Sequence, residues 1–285
     1  MLTLRAGANA VVLTPEHGGA ILGWRHGPTP ILRPPGADAA LRGDPGAMGC
    51  FPLLPYANRI AAGRFTWAGR THAIRRNFGD HPHAIHGVGW RARWTVDHAA
   101  PDRARLGLRH DGDADWPFAF DATLDYTLTE AALTVRIGAT NRHSAPAPMG
   151  IGLHPYFPRK TGQSLRFEAD GVWLNDRDAL PDRHVAIPDA WNHAQGRVIG
   201  STRLDNCFTG WAGTADLGSL TIEADPVFAD LPVFADLQVF TPEGADFFCV
   251  EPVSHAPDAL NRTHRPMRTL QTDETLAGSV TFRLA

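Results

Sequence analysis

Glu251 closes the apolar run Phe247-Phe248-Cys249-Val250 and is followed at once by Pro252. Burying an ionised carboxylate costs several kcal/mol unless it is bonded or paired, so a glutamate in this setting is raised in pKa or tightly held. That is how a general base working near neutral pH is made; the plain alternative is an exposed strand end. A second candidate is His154 in Met149-Gly150-Ile151-Gly152-Leu153-His154-Pro155-Tyr156-Phe157. The proline after His154 biases its backbone to extended geometry, which suits an imidazole projected from a strand into a cleft. The glycines beside it allow close packing or ligand approach, and the competing reading is a core histidine bonded to a carbonyl.

Three further clusters carry polar groups in apolar company. Asn58-Arg59-Ile60, then Gly63-Arg64-Phe65, follow the run Cys50-Phe51-Pro52-Leu53-Leu54-Pro55. The planar fork of Arg59 can donate several hydrogen bonds to a hydroxyl-rich ligand, or its stem can simply cover apolar surface. His81, His83 and His86 fall within six residues, which raises the question of a metal. No His-Glu-x-x-His or paired-cysteine motif accompanies them, and Asp80 alone has ligand-like spacing, so no metal is expected there. A hydrogen-bonding or titrating histidine fits better, as does a structural one. Asp205 in Leu204-Asp205-Asn206-Cys207-Phe208 is a weaker candidate, because an Asp-Asn pair before an aromatic is also ordinary turn chemistry.

Composition removes whole classes of function. A formal charge of -3 over 285 residues gives no basic field for nucleic acid or an anionic membrane. Lys160 is the sole lysine, in the turn-like Pro158-Arg159-Lys160-Thr161-Gly162, so Schiff-base chemistry and a phosphate-binding P-loop both lack support. Three scattered cysteines, Cys50, Cys207 and Cys249, make no disulfide framework and suit a reducing compartment. With no signal-like opening and no 18-residue apolar stretch, a cytoplasmic location is expected; the triplet Asn261-Arg262-Thr263 matches a glycosylation sequon, which carries no meaning there.

The elements that must position these residues read as strands. Phe120, Ala122, Leu124, Tyr126 and Leu128 alternate strictly with Asp121, Thr123, Asp125 and Thr127, the pattern of a half-buried strand. After a break at 129–132 the alternation resumes as Leu133, Val135, Ile137 and Ala139, predicting an antiparallel hairpin. Similar runs recur at Val11–Leu13, Ala20–Trp24, Leu106–Arg109, Leu220–Ala224, Leu237–Phe240, Phe247–Val250 and Val280–Leu284. No long segment keeps a helical apolar period, and 28 glycines and 23 prolines punctuate the chain. The fold class is therefore all-β, a large antiparallel sandwich or barrel with few short helices, in a single domain over 1–285. The stretches Arg33–Gly49 and Leu174–Arg203 are expected as loops around a cleft or as plain insertions.

In chain order, Asn58-Arg59-Ile60 with Gly63-Arg64-Phe65, His86-Gly87 with Trp90, Gly152-Leu153-His154-Pro155-Tyr156-Phe157, Leu204-Asp205-Asn206-Cys207-Phe208, and Val250-Glu251-Pro252 with Pro257-Asp258-Ala259-Leu260-Asn261 resemble the aldose 1-epimerase (galactose mutarotase) family, its short bacterial branch in particular. The resemblance implies a galactose mutarotase-like supersandwich binding a free sugar without a cofactor, as a monomer or homodimer. It implies that Glu251 takes the proton of the anomeric hydroxyl while His154 protonates the ring oxygen. Arg59, His86, Asn58 and Asp205 would then hold hydroxyls.

Phe157 and Trp211 are expected in the core before a sugar face. Two other readings are a hexose-6-phosphate mutarotase, for which Arg75-Arg76 or Arg91 with Arg93 would bind the phosphate, and a non-catalytic carbohydrate-binding protein. A glycosidase would pair Glu251 with Asp205 and leave His154 without a role.

Overall fold

The computed structural model describes residues 1–36, 43–200, 202–225, 233–262 and 266–285. Its regular structure is β, in antiparallel sheets of eleven and nine strands with three two-stranded ribbons, and its helices are single 3-10 turns. The alternating segment forms the strand Phe120–Leu128 and pairs with Ala132–Asn141, setting Leu124 opposite Ile137 and Leu128 opposite Leu133. The other short apolar runs also lie in strands. Among the described residues no helix is long and apolar enough to cross a membrane.

Alternation tells which sheet faces what. In the nine-stranded sheet every second residue of Phe120–Leu128 is buried, as expected of a sheet with one wet face. The central strands of the eleven-stranded sheet are buried on both faces: Cys50–Leu53 throughout, Gly152–Pro158 and Phe247–Val253 at all but one end residue. One face meets the nine-stranded sheet, where Phe157 and Trp24 pack on Phe282 with ring centroids 6.4 and 6.5 Å apart. The other face carries a second apolar cluster, with Phe51, Leu53, Ala57, Ile85, Trp90, Tyr156 and Cys249 among its members. Residues 54–94, with their short ribbons Arg59–Ile60 on Ala84–Ile85 and Arg64–Trp67 on Arg70–Ala73, supply part of that cover.

Two expectations need correction. Leu174–Arg203 is not a loop excursion: it holds the strand Pro181–Val185, which extends the larger sheet, and Arg197–Val198, which extends the smaller one. Its polar composition hid these strands because edge strands expose most of their side chains. Glu251 does not end its strand either, since Phe247–Val253 runs on through Pro252. Of the expected loop Arg33–Gly49, residues 37–42 lie outside the described residues, as does Thr263 of the sequon.

Leu124 and Ile137 are fully buried partners in the inter-sheet core. Leu124→Ala is expected to lower the free energy of unfolding by about 2–5 kcal/mol and Ile137→Val by about 0.5–1.5 kcal/mol, as read by urea denaturation; equal small losses would show that this core can collapse around a cavity.

Candidate active site

Register across the doubly buried sheet brings the chemistry together. Gly152 faces Val253 and Tyr156 faces Cys249, which sets His154 opposite Glu251 between them. His154 also lies opposite Phe51, and Glu251 opposite Gln238, which in turn faces Cys207. The ladder between Gly152–Pro158 and Phe247–Val253 is interrupted between those two registered pairs. Pro155 and Pro252 fall in that gap, and neither has an N–H to donate. The two prolines that made His154 and Glu251 look like strand ends instead mark a break in the ladder inside the sheet.

At that break His154 Nε2 lies 3.4 Å from Glu251 Oε1, and both side chains are almost wholly inaccessible. The imidazole is stacked on Tyr156, with centroids 4.6 Å apart and planes 10° apart, and packs on Phe51 at 4.6 Å. Arg33 lies over the Tyr156 ring, its guanidinium carbon 3.9 Å from the centroid, while its Nη2 donates to the carbonyls of Gly46 and Met48. The His86 ring stands edge-on to His154, 5.2 Å away.

A hydrogen-bonded chain forms the adjoining wall. Asp205 Oδ2 accepts from Arg59 Nη2 at 3.0 Å and its Oδ1 from Gln238 Nε2 at 2.8 Å, while Arg59 Nη1 donates to Asn58 Oδ1 at 3.0 Å. Asn58, His86 and Asp258 all adopt positive φ, near 55°, 61° and 55°. Such backbone is uncommon for residues with a side chain and must be held by its surroundings. Here the His86 N–H donates to Asn58 O, and the Asp258 N–H to Arg59 O, both at 2.8 Å. Asp258 Oδ1 accepts from the Ala61 N–H and the Asn261 amide. The Asn77 amide clamps the segment around His86 by bonding both Ile85 and Gly87.

Burial dominates the protonation of the pair. It pushes the Glu251 carboxyl well above the usual carboxylate range, with Asp205 adding to the effect and Arg59 opposing it. It pulls His154 down to about 3, helped by the Arg33 charge, and carries His86 well below the ordinary imidazole value. Both shifts favour the uncharged form of each group, a carboxylic acid beside a neutral imidazole 3.4 Å away. Beside them Arg59 Nε, His86 Nδ1, His154 Nδ1 and Gln238 Oε1 are buried without a hydrogen-bond partner among the described residues. Each such atom costs about 1–3 kcal/mol if left unmatched. Four such atoms on residues packed around or bonded next to the His154–Glu251 pair make this the candidate site.

All six residues singled out in the sequence belong to one contact network: Glu251 and His154 face each other, the His86 ring packs on His154, and Asn58, Arg59 and Asp205 form a hydrogen-bonded chain that reaches Gln238 opposite Glu251. Of the competing histidines, His83 is tied by its Nδ1 to the Ala62 N–H and by its Nε2 to the Asp178 carbonyl, so its role is structural. His81 is only half-buried and its Nδ1 pairs with the His83 backbone. Phe157 and Trp211 belong to the inter-sheet core, as expected. Sequence reasoning missed Gln238, Asn77, Phe51 and Arg33. Gln238 carried the one usable signal, a lone amide within the apolar strand Asp236–Phe240. The histidine cluster at 81–86 gathers no metal-ligand set; among the described residues the grouping that does is His154, Cys249 and Glu251, with ligand atoms within 4.8 Å of one another.

The family model for aldose 1-epimerase matches residues 1–283. The uncharacterized protein YphB of Escherichia coli (strain K12) is 31% identical over 260 residues, covering 87% of this chain and 86% of that one. The crystal structure of a proposed aldose 1-epimerase from Escherichia coli K12 superposes with a TM-score of 0.88 at 28% identity, over 99% of this chain and 98% of that one. A galactose mutarotase-like protein from Clostridium acetobutylicum shares the fold, with a TM-score of 0.83 at 19% identity over 99% and 94% of the two chains.

Gly87 follows the strained His86 at φ +74°, and a Cβ there would sit 2.1 Å from the Leu54 carbonyl oxygen. Gly87→Ala is expected to destabilise the fold by about 1–3 kcal/mol and to displace His86. Thermal unfolding and the His86 imidazole NMR signals read the two effects, and an unchanged His86 environment would show that Asn77 alone sets it.

Proposed function

The chain belongs to the aldose 1-epimerase family, and from that premise we propose that it interconverts the α and β anomers of a free aldohexose such as galactose or glucose by acid–base ring opening. The observation that carries this reading is the buried His154–Glu251 pair at 3.4 Å, set among unmatched hydrogen-bonding atoms. Hemiacetal opening needs a base at the anomeric hydroxyl and an acid at the ring oxygen of the same molecule. In the pair's charged form Glu251 removes the hydroxyl proton while protonated His154 delivers its own to the ring oxygen, and the C1–O5 bond breaks to give the aldehyde.

The pair then stands neutral, as a carboxylic acid and an imidazole. Rotation about C1–C2 and reclosure in the reverse proton sense yield the other anomer and restore the charged form. Burial favours the neutral form, which accompanies the open chain, so the charged form that starts the reaction is the minor one and forming it is part of the barrier. Each positioned proton transfer contributes typically about 10²–10⁴-fold. In this reading Arg59, Asn58, Asp205 and His86 orient the hydroxyls.

The phosphorylated-sugar reading draws less support. Arg75 is held bidentate by Asp115 and Arg93 pairs with Glu16, while Arg91 stacks on Trp90 and donates to the Asn77 carbonyl. A purely carbohydrate-binding role would leave the matched acid and base without purpose. Action as one domain over 1–285, a cytoplasmic setting and a monomeric or homodimeric state belong to the same proposal, the second in keeping with the buried thiols of Cys50 and Cys249.

Polarimetry of freshly dissolved α-D-galactose and α-D-glucose is expected to show acceleration by the parent chain and loss of at least about 10²-fold in Glu251→Gln and His154→Ala; no acceleration of either sugar would overturn the reading. Because burial lowers the titration of His154 and raises that of Glu251, the rate is expected to stay level between pH 4.5 and 6.5, the ordinary values of the two groups. It declines at higher pH, once the raised carboxyl loses its proton. An inflection inside that window would show that the groups keep their ordinary values.

Stability gives a further readout. The folded state keeps a proton on Glu251 that the unfolded chain releases above 4.5, so this group's contribution to stability falls as pH rises past that value. Glu251→Gln removes the penalty, and its gain in unfolding midpoint is expected to grow from about pH 5 to about pH 8. A constant gain would refute the raised carboxyl.

A further inference from the structure

Cys249 plays no part in the proton transfers above, yet it lies two residues from Glu251 on the same strand face and directly across from Tyr156. It is fully buried and carries a free thiol. Its sulfur, an imidazole nitrogen of His154 and a carboxyl oxygen of Glu251 all lie within 4.8 Å of one another, and the nitrogen and oxygen of the pair stand 3.4 Å apart. Ligand atoms around a tetrahedral zinc ion are separated by about 3.5 Å, given metal–ligand bonds of about 2.0–2.3 Å. Two of the three donors are therefore already at coordination spacing, and the third needs a shift of about an ångström. One cysteine, one histidine and one carboxylate form a donor set suited to a borderline-soft divalent cation and poorly suited to calcium or magnesium.

We propose that His154, Cys249 and Glu251 form a binding site for a zinc-like divalent cation inside the cleft, and that occupation of this site inhibits the protein. Charge balance favours the exchange. Before binding, the cluster is a thiol, a carboxylic acid and an imidazole, with no net charge. After binding it is a divalent cation with a thiolate, a carboxylate and a neutral imidazole, again with no net charge, and two protons have left for solvent. A buried cluster thus takes up the ion without becoming a buried net charge. Three protein ligands leave a fourth position open, and Gln238, opposite Glu251 on the neighbouring strand, has a buried Oε1 with no partner among the described residues. The bound ion occupies the nitrogen and oxygen on which the proposed proton transfers depend.

Binding stands on the ligand geometry alone, whereas inhibition rests on the proposed mutarotation, so the experiment reads the two separately. Cobalt(II) replaces zinc as an optical probe, because a coordinated thiolate gives a near-ultraviolet charge-transfer band. Titration of the parent chain is expected to develop that band at one equivalent, and Cys249→Ser and Cys249→Ala to lack it. The second replacement guards against serine acting as a weak ligand. No band, or a band that survives in both variants through Cys50 or Cys207, would overturn the site whether or not the chain turns over sugar.

In polarimetry zinc is expected to slow the parent chain, with the inhibiting concentration raised at least about tenfold in both variants. Cobalt coordination through Cys249 without zinc inhibition of an active enzyme would overturn the inhibitory role and leave the site.

Discussion

The structure turns on one costly arrangement, a carboxyl and an imidazole held 3.4 Å apart where water scarcely reaches. Neither group keeps its ordinary protonation there, since burial favours the uncharged form of each. Much else serves that arrangement. The sheet is buried on both faces so that the pair is dry. Pro155 and Pro252 interrupt the hydrogen-bond ladder beside it, and Tyr156 and Phe51 pack on the imidazole and restrict its orientation.

The supporting wall shows how strain is stored near such a pair. Three residues with side chains, Asn58, His86 and Asp258, occupy left-handed backbone conformations. Each would relax if its neighbours let go. They are fixed by backbone bonds to one another's segments and by the amides of Asn77 and Asn261. The same network aims Arg59 at Asp205 rather than at solvent, leaving its Nε buried and unmatched. Rigid polar groups with free valences are what a hydroxyl-rich ligand needs, since little further ordering is lost when it binds. Residues that hold no ligand therefore matter as much to the cleft as those that would.

What could be read in advance followed from local physics. Period-two alternation in 120–139 predicted the hairpin because a half-buried strand must segregate its faces, and the structure pairs the two strands antiparallel. The polar stretch 174–203 was misread because an edge strand has little to bury. Glu251 and His154 stood out as polar groups in apolar runs. Gln238 was not singled out, since one amide among Leu237, Val239 and Phe240 looks like a tolerated exception until its partner across the sheet is known.

The sequence by itself determined the fold class and the family resemblance, and it offered six polar candidates, because burial pattern, backbone restriction by proline and glycine, and residue chemistry are local properties. Only the tertiary structure decided which of those residues touch. Positions 59, 86, 154, 205 and 251 are brought together by strand register, and register follows from long-range packing that no short segment encodes. The same packing chose His86 over His83 by giving the latter two backbone partners. It also placed Cys249, in the linear chain only one of three scattered cysteines, beside His154 and Glu251.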